Sequence, residues 1–162
     1  MPHFLSQKDA DFFFAMEKIP EEGNKEFNFP CQGEKLVLPF TSKDKRELFL
    51  FDITRASIKA EKITYQNRAR KSFVLRRLDI EGPSHPNPEV ENPPLDILQS
   101  YNGVVVVCPH IHIYVEGFNH KWAVPIELFL NITNQSFYEI MNKFLEYCNV
   151  ISMPKVKETL FI

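Results

Sequence analysis

The chain has 162 residues and a mass of 19.0 kDa, enough to bury one core and too little for two, so a single domain over 1–162 is expected. With 25% charged and 44% apolar residues it is no disordered or low-complexity chain, and no apolar run approaches the roughly 20 residues of a membrane span. The N-terminus, MPHFLSQKDADFFF, lacks a basic head and a small-residue cleavage site. Cys31, Cys108 and Cys148 are odd in number and widely spaced, which reads as reduced thiols. A cytoplasmic location with no membrane association is the expectation.

In chain order, Ser6 with Asp9 three residues later resembles a capping box, and a helix over 7–18 follows without Pro or Gly. Segments 34–40, 47–55, 59–67 and 72–81 are rich in Leu, Phe, Ile and Val and read as strands. Their close spacing leaves no room for crossover helices, so they pair antiparallel. Residues 82–94, GPSHPNPEVENPP, hold five prolines and read as a loop. An apolar run over 104–107, then PHIHIYVEG, a turn at 117–119 and KWAVPI predict a hairpin. The last helix, capped by Asn134, carries Phe137, Ile140, Met141, Phe144, Leu145 and Cys148 at helical spacing. The tail, 153–162, is read as a docked edge strand. The fold class is therefore α+β: a curved antiparallel sheet of about five or six strands, packed by an N-terminal and a C-terminal helix, with the other, polar face exposed.

The net charge of -2 conceals a segregation. Residues 43–77 hold eleven basic and four acidic side chains, a local charge of +7 against -9 for the remainder. Such a field attracts nucleic acid or another phosphate-bearing ligand. Solvated strand edges account for the same residues.

Four of the five histidines lie between positions 85 and 120. On a strand, His110, His112, Tyr114 and Glu116 share one face while Ile111, Ile113 and Val115 share the other. The strand before the proline-rich loop turns Arg77 and Asp79 outward, which makes Asp79 a candidate cross-strand neighbour of His110 or His112. Two chemistries suit the set. In the first, His110, His112 and Glu116 ligate one divalent transition metal ion. In the second, without cofactor, His110 and His112 exchange protons with a phosphodiester, assisted by His85 and Tyr114 and oriented by Asp79. Lys62, Arg68, Arg77 and Asn87 would then bind substrate. A polar sheet surface for a protein partner uses the same residues without chemistry.

HIHIYVE resembles the HxH-x3-E core of the first cupin motif, which implies His110, His112 and Glu116 as metal ligands. The second cupin motif has no counterpart, since no histidine follows His120. The strings RRLDIEGPSHPNP and CPHIHIYVEGFNHKWAVPI are similar to an uncharacterised family of small bacterial and prophage proteins. That resemblance covers roughly residues 76–125 and implies that Arg-Leu-Asp, His-x-Asn-Pro, His-x-His-x-Tyr and Trp-Ala belong together. The resulting expectation is a small hydrolase of phosphodiesterase or ribonuclease type, of mobile-element or toxin kind. The alternatives are a cupin-like metal-binding domain and a non-catalytic phage or bacterial interaction module.

Overall fold

The computed structural model describes residues 4–158. Its elements are α1 (Gln7–Ala15), β1 (Lys18–Pro20), β2 (Glu26–Asn28), β3 (Lys35–Ser42), β4 (Leu48–Arg55), β5 (Ile63–Ala69), β6 (Phe73–Asp79), β7 (His85–Pro86), β8 (Val105–Val106), β9 (His110–Val115), β10 (Asn119–Pro125), α2 (Phe137–Tyr147) and β11 (Lys155–Lys157). The class is α+β. Seven strands form one sheet in the order β1-β3-β4-β5-β6-β9-β10, with every neighbouring pair antiparallel. The strand beyond the expected five or six is β1, three residues long and too short to leave a periodic pattern.

Alternation builds the core. Ile63, Tyr65 and Ala69 of β5, and Ile111, Ile113 and Val115 of β9, are buried. Phe144 of α2 meets Phe51 edge-on at 6.1 Å and Tyr65 at 6.0 Å. Phe13 of α1 meets Phe49 at 6.5 Å, so both helices cover one face. The Tyr65 hydroxyl donates to the Phe137 carbonyl, fixing α2 to the sheet. Strand β5 starts at Ile63 and not at residue 59, because Lys62 donates its backbone N–H to the Lys59 carbonyl in a turn.

Helix α1 stops at Ala15 and not at Lys18; Lys18 instead opens β1. Asn134 does not cap α2. It adopts a left-handed φ of 59°, whereas an N-cap needs extended backbone, which Ser136 supplies (φ -70°, ψ 164°). Ser136 and Glu139 form the full capping box. Lys155–Lys157 pairs in parallel with β2, off the main sheet, and the expected TLFI edge strand lies outside the described residues. Among the described residues no helix is long and apolar enough to cross a membrane.

Candidate metal centre

The register of two inner strands builds the site. Strand β6 pairs with β9 so that Asp79 faces His110 and Arg77 faces His112. All four therefore project from the sheet face opposite the helices, two residues apart along each strand. That face is not open here. The two-residue strands β7 and β8 pair over it, and the histidines keep only 2% and 5% exposure. The expectation of a bare polar face fails at this end because the proline-rich loop folds across it.

Hydrogen bonds fix the tautomers. The Nδ1 of His112 lies 2.9 Å from the His120 carbonyl oxygen, and that of His110 lies 3.1 Å from the Val106 carbonyl oxygen. A carbonyl oxygen only accepts, so each Nδ1 carries its hydrogen and each Nε2 presents a lone pair when the ring is neutral. Both Nε2 atoms converge on Asp79 Oδ2, at 3.3 Å from His110 and 3.2 Å from His112. The other carboxylate oxygen, Oδ1, accepts from Arg77 Nε at 2.9 Å and from Thr64 Oγ1 at 3.0 Å. Burial alone would raise the Asp79 pKa, but contact with His110, His112 and Arg77 holds it well below the usual carboxylate range. Asp79 is an anion with one oxygen anchored and one turned to the imidazoles.

Two lone-pair nitrogens against an anionic oxygen repel unless something positive sits among them. The separations are long for a hydrogen bond to a charged partner and close to the donor spacing of a metal site. A charge-assisted N–H···O bond closes to about 2.7–2.9 Å. A tetrahedral ion with ligand bonds of about 2.0–2.1 Å holds its donors about 3.3 Å apart, which matches 3.2 and 3.3 Å. The Nδ1–H to carbonyl bonds are the outer contacts that orient metal-binding histidines. Asp79, His110 and His112 offer three ligand atoms within 4.8 Å of one another.

A cavity of about 300 Å³ opens beside them, lined among others by Lys62, Arg77, Glu81, His85, Cys108 and Lys121. The Nε2 of His85 lies 2.6 Å from the Lys121 carbonyl oxygen and must be the protonated nitrogen, which leaves Nδ1 unprotonated. The ring stands 4.6 Å from that of His112 and 6.1 Å from that of His110. Burial, foremost, lowers the pKa of His85 and likewise that of His120. Burial also raises that of the Cys108 thiol, whose sulfur touches the His110 ring at 3.7 Å.

Several expected site residues are engaged elsewhere. Glu116 accepts from the backbone N–H of Gln7, at the end of β9 away from Asp79, so the donor group that could hold an ion includes Asp79 and not Glu116. The Tyr114 hydroxyl accepts from Leu5 N at 2.7 Å and donates to Leu5 O at 2.8 Å. Arg68 clasps Asp52 with Nε at 2.6 Å and Nη2 at 2.8 Å. Asn87 is buried, its amide spent on the Ala123 backbone N–H and on the Ala123 and Tyr101 carbonyls. It anchors the loop. Lys62 and Arg77 do line the cavity.

The basic segment is largely neutralised by its own fold. Lys43 pairs with Glu17, Arg46 with Asp44, Lys59 with Glu81, Arg68 with Asp52, Arg70 with Glu47 and Arg77 with Asp79. Arg76 donates to the Tyr147 hydroxyl and lies over Phe14, while Arg55 stacks on Phe137. Neither a curated protein nor a solved structure matches the chain. A family model does match residues 5–150, and by that match the chain belongs to DUF6978, a family of unknown function.

Proposed function

We propose that the protein is a hydrolase whose centre holds one divalent transition ion through His110 Nε2, His112 Nε2 and Asp79 Oδ2. The observation that carries this is the convergence of three donor atoms within 4.8 Å of one another, each Nε2 3.2–3.3 Å from Asp79 Oδ2 and both Nδ1 positions committed to backbone carbonyls. Three protein ligands beside a cavity leave a position open, the arrangement of catalytic and not structural zinc sites. An ion bound there supplies Lewis acidity and a water acidified toward neutrality. His85, fixed on β7 with its Nδ1 unprotonated, is the cavity's proton acceptor, and Arg77 holds Asp79 in place.

The test is elemental analysis and zinc calorimetry on purified protein, followed by assay against chromogenic phosphate and carboxylate esters. One equivalent of ion in the native chain and none in His112→Ala is the expected result. His85→Gln keeps the ion and loses about 10²–10⁴-fold in rate. No ion bound in zinc-replete buffer overturns the proposal. A metal-free reading, in which His110 and His112 exchange the proton directly, draws on their shared contact with Asp79. Hydrolysis that survives chelation with full rate would favour it.

A further inference from the structure

Resting on that hydrolytic centre, we infer that its substrate is a phosphate ester of about mononucleotide size, seated between the three ligands and Lys62, and not a long nucleic acid.

Charge distribution carries the argument. Eight of the eleven cations in residues 43–77 are occupied by carboxylates, carbonyls, a hydroxyl or aromatic rings. The remaining three are Lys45, Lys62 and Lys71. Lys45 and Lys71 sit in turns at left-handed φ values of 62° and 65°, in the β3–β4 and β5–β6 connections. Lys62 precedes β5 at the opposite end of the strands, about 20 Å away along seven residues. They form no continuous track for a polyanion, which needs a basic groove following its backbone.

The cavity has the reverse character. Its walls carry Lys62, Arg77 and Lys121 against Asp79 and Glu81. Arg77 is matched by Asp79, and Glu81 is matched from outside by Lys59. Lys62 and Lys121 have no ion pair among the described residues. Two unmatched lysines plus a divalent ion therefore face about 300 Å³ of space, the lower end of small-ligand pockets. That excess suits a phosphate dianion and disfavours a neutral or cationic ligand. Lys62 is aimed by its neighbour: a Cβ built on Gly82 (φ +146°) would lie 3.5 Å from Lys62 Cε, so the stem runs along the glycine at the cavity wall.

The experiment titrates inorganic phosphate, AMP and a 20-nucleotide RNA into the full chain, with and without zinc, at several salt concentrations. Phosphate and AMP should compete for one site, bind more tightly with zinc, and lose about tenfold in Lys62→Ala. Their log–log salt slopes should stay below about 2, whereas RNA held along its backbone adds about 0.7 per phosphate. Unchanged phosphate affinity in both Lys62→Ala and Lys121→Ala overturns the inference. So does RNA binding with a slope of several phosphates that phosphate does not compete away. Zinc content is measured in the same samples, so the two proposals fail separately. Zinc bound without phosphate binding sinks this inference alone, and Lys62-dependent phosphate binding without zinc upholds it while the metal reading falls.

Discussion

Lys18 offers the sharpest test of the packing. It is fully buried, and its Nζ donates to the carbonyls of Phe14 at 2.9 Å, Met16 at 2.8 Å and Cys148 at 2.7 Å. These carbonyls belong to the last turn and C-cap of α1 and the C-cap of α2, so one ammonium caps both helices where their dipoles favour a cation. The Phe49 ring lies 4.8 Å from the same nitrogen. Lys18→Met keeps the stem and removes the donor. Three orphaned buried acceptors at about 1–3 kcal/mol each give about 6 kcal/mol of loss. Burial lowers the Lys18 pKa to about 8, so the variant escapes about 3 kcal/mol of ammonium desolvation. The net is about 3 kcal/mol of destabilisation, or roughly 6–12 °C in Tm for a domain of this size. Linkage adds a second reading. Because the folded pKa lies below that of the unfolded chain, the unfolded state holds more protons between pH 8 and about 10.5. The stability of the parent should therefore rise relative to the variant across that window. Urea titrations of both proteins at pH 7 and pH 10 measure this. Equal stability at pH 7 refutes the capping argument, and a gap that does not grow with pH refutes the lowered pKa.

Asp52 contributes to the acid limb of stability. Burial would raise its pKa, yet hydrogen bonding and charge from Arg68, then Lys35 and Gln66, hold it below the usual carboxylate range. Its contribution is complete above the unfolded carboxyl pKa and lost as pH falls through the folded one. Asp52→Asn should accordingly flatten the acid limb of stability below the ordinary carboxylate range, followed by urea denaturation. Tyr114→Phe should lower stability by about 1–3 kcal/mol by stranding the Leu5 backbone groups, while leaving zinc content unchanged. A loss of zinc in that variant would contradict the structural role given to the hydroxyl.

The site was legible as far as period-two alternation reaches. HIHIYV places both histidines on one face, and RRLDI places Arg77 and Asp79 on one face, but that β6 and β9 are neighbours, and in which register, came only from the structure. Alternation also put Tyr114 and Glu116 with the histidines. They do share that face, but the chain entering α1, more than 100 positions away in sequence, claims them through Leu5 and Gln7. The charge run misled for the same reason: Glu17, which pairs with Lys43, and Tyr147, which engages Arg76, lie outside it. Asp79, read from the sequence as a partner that orients an imidazole, is the acid that the structure places against the two histidines. Strands β1, β2, β7, β8 and β11 span two or three residues each, and their pairing is set by tertiary position and not by local pattern.

The centre's rigidity follows from where its ligands stand. Asp79 and the two histidines lie on inner strands, each paired on both sides, so the ladder fixes three backbones before any side chain acts. Arg77 and Thr64 take one carboxylate oxygen from the neighbouring strand positions, and this aims the other at the imidazoles. The His120 and Val106 carbonyls orient the rings from β10 and β8. The rings and the carboxylate are therefore each oriented by hydrogen bonds to the fold itself. The cover is different in kind. Residues 82–87 touch the site through His85 and are tied down at Asn87, so the ligand face is set by the sheet while access is set by one loop.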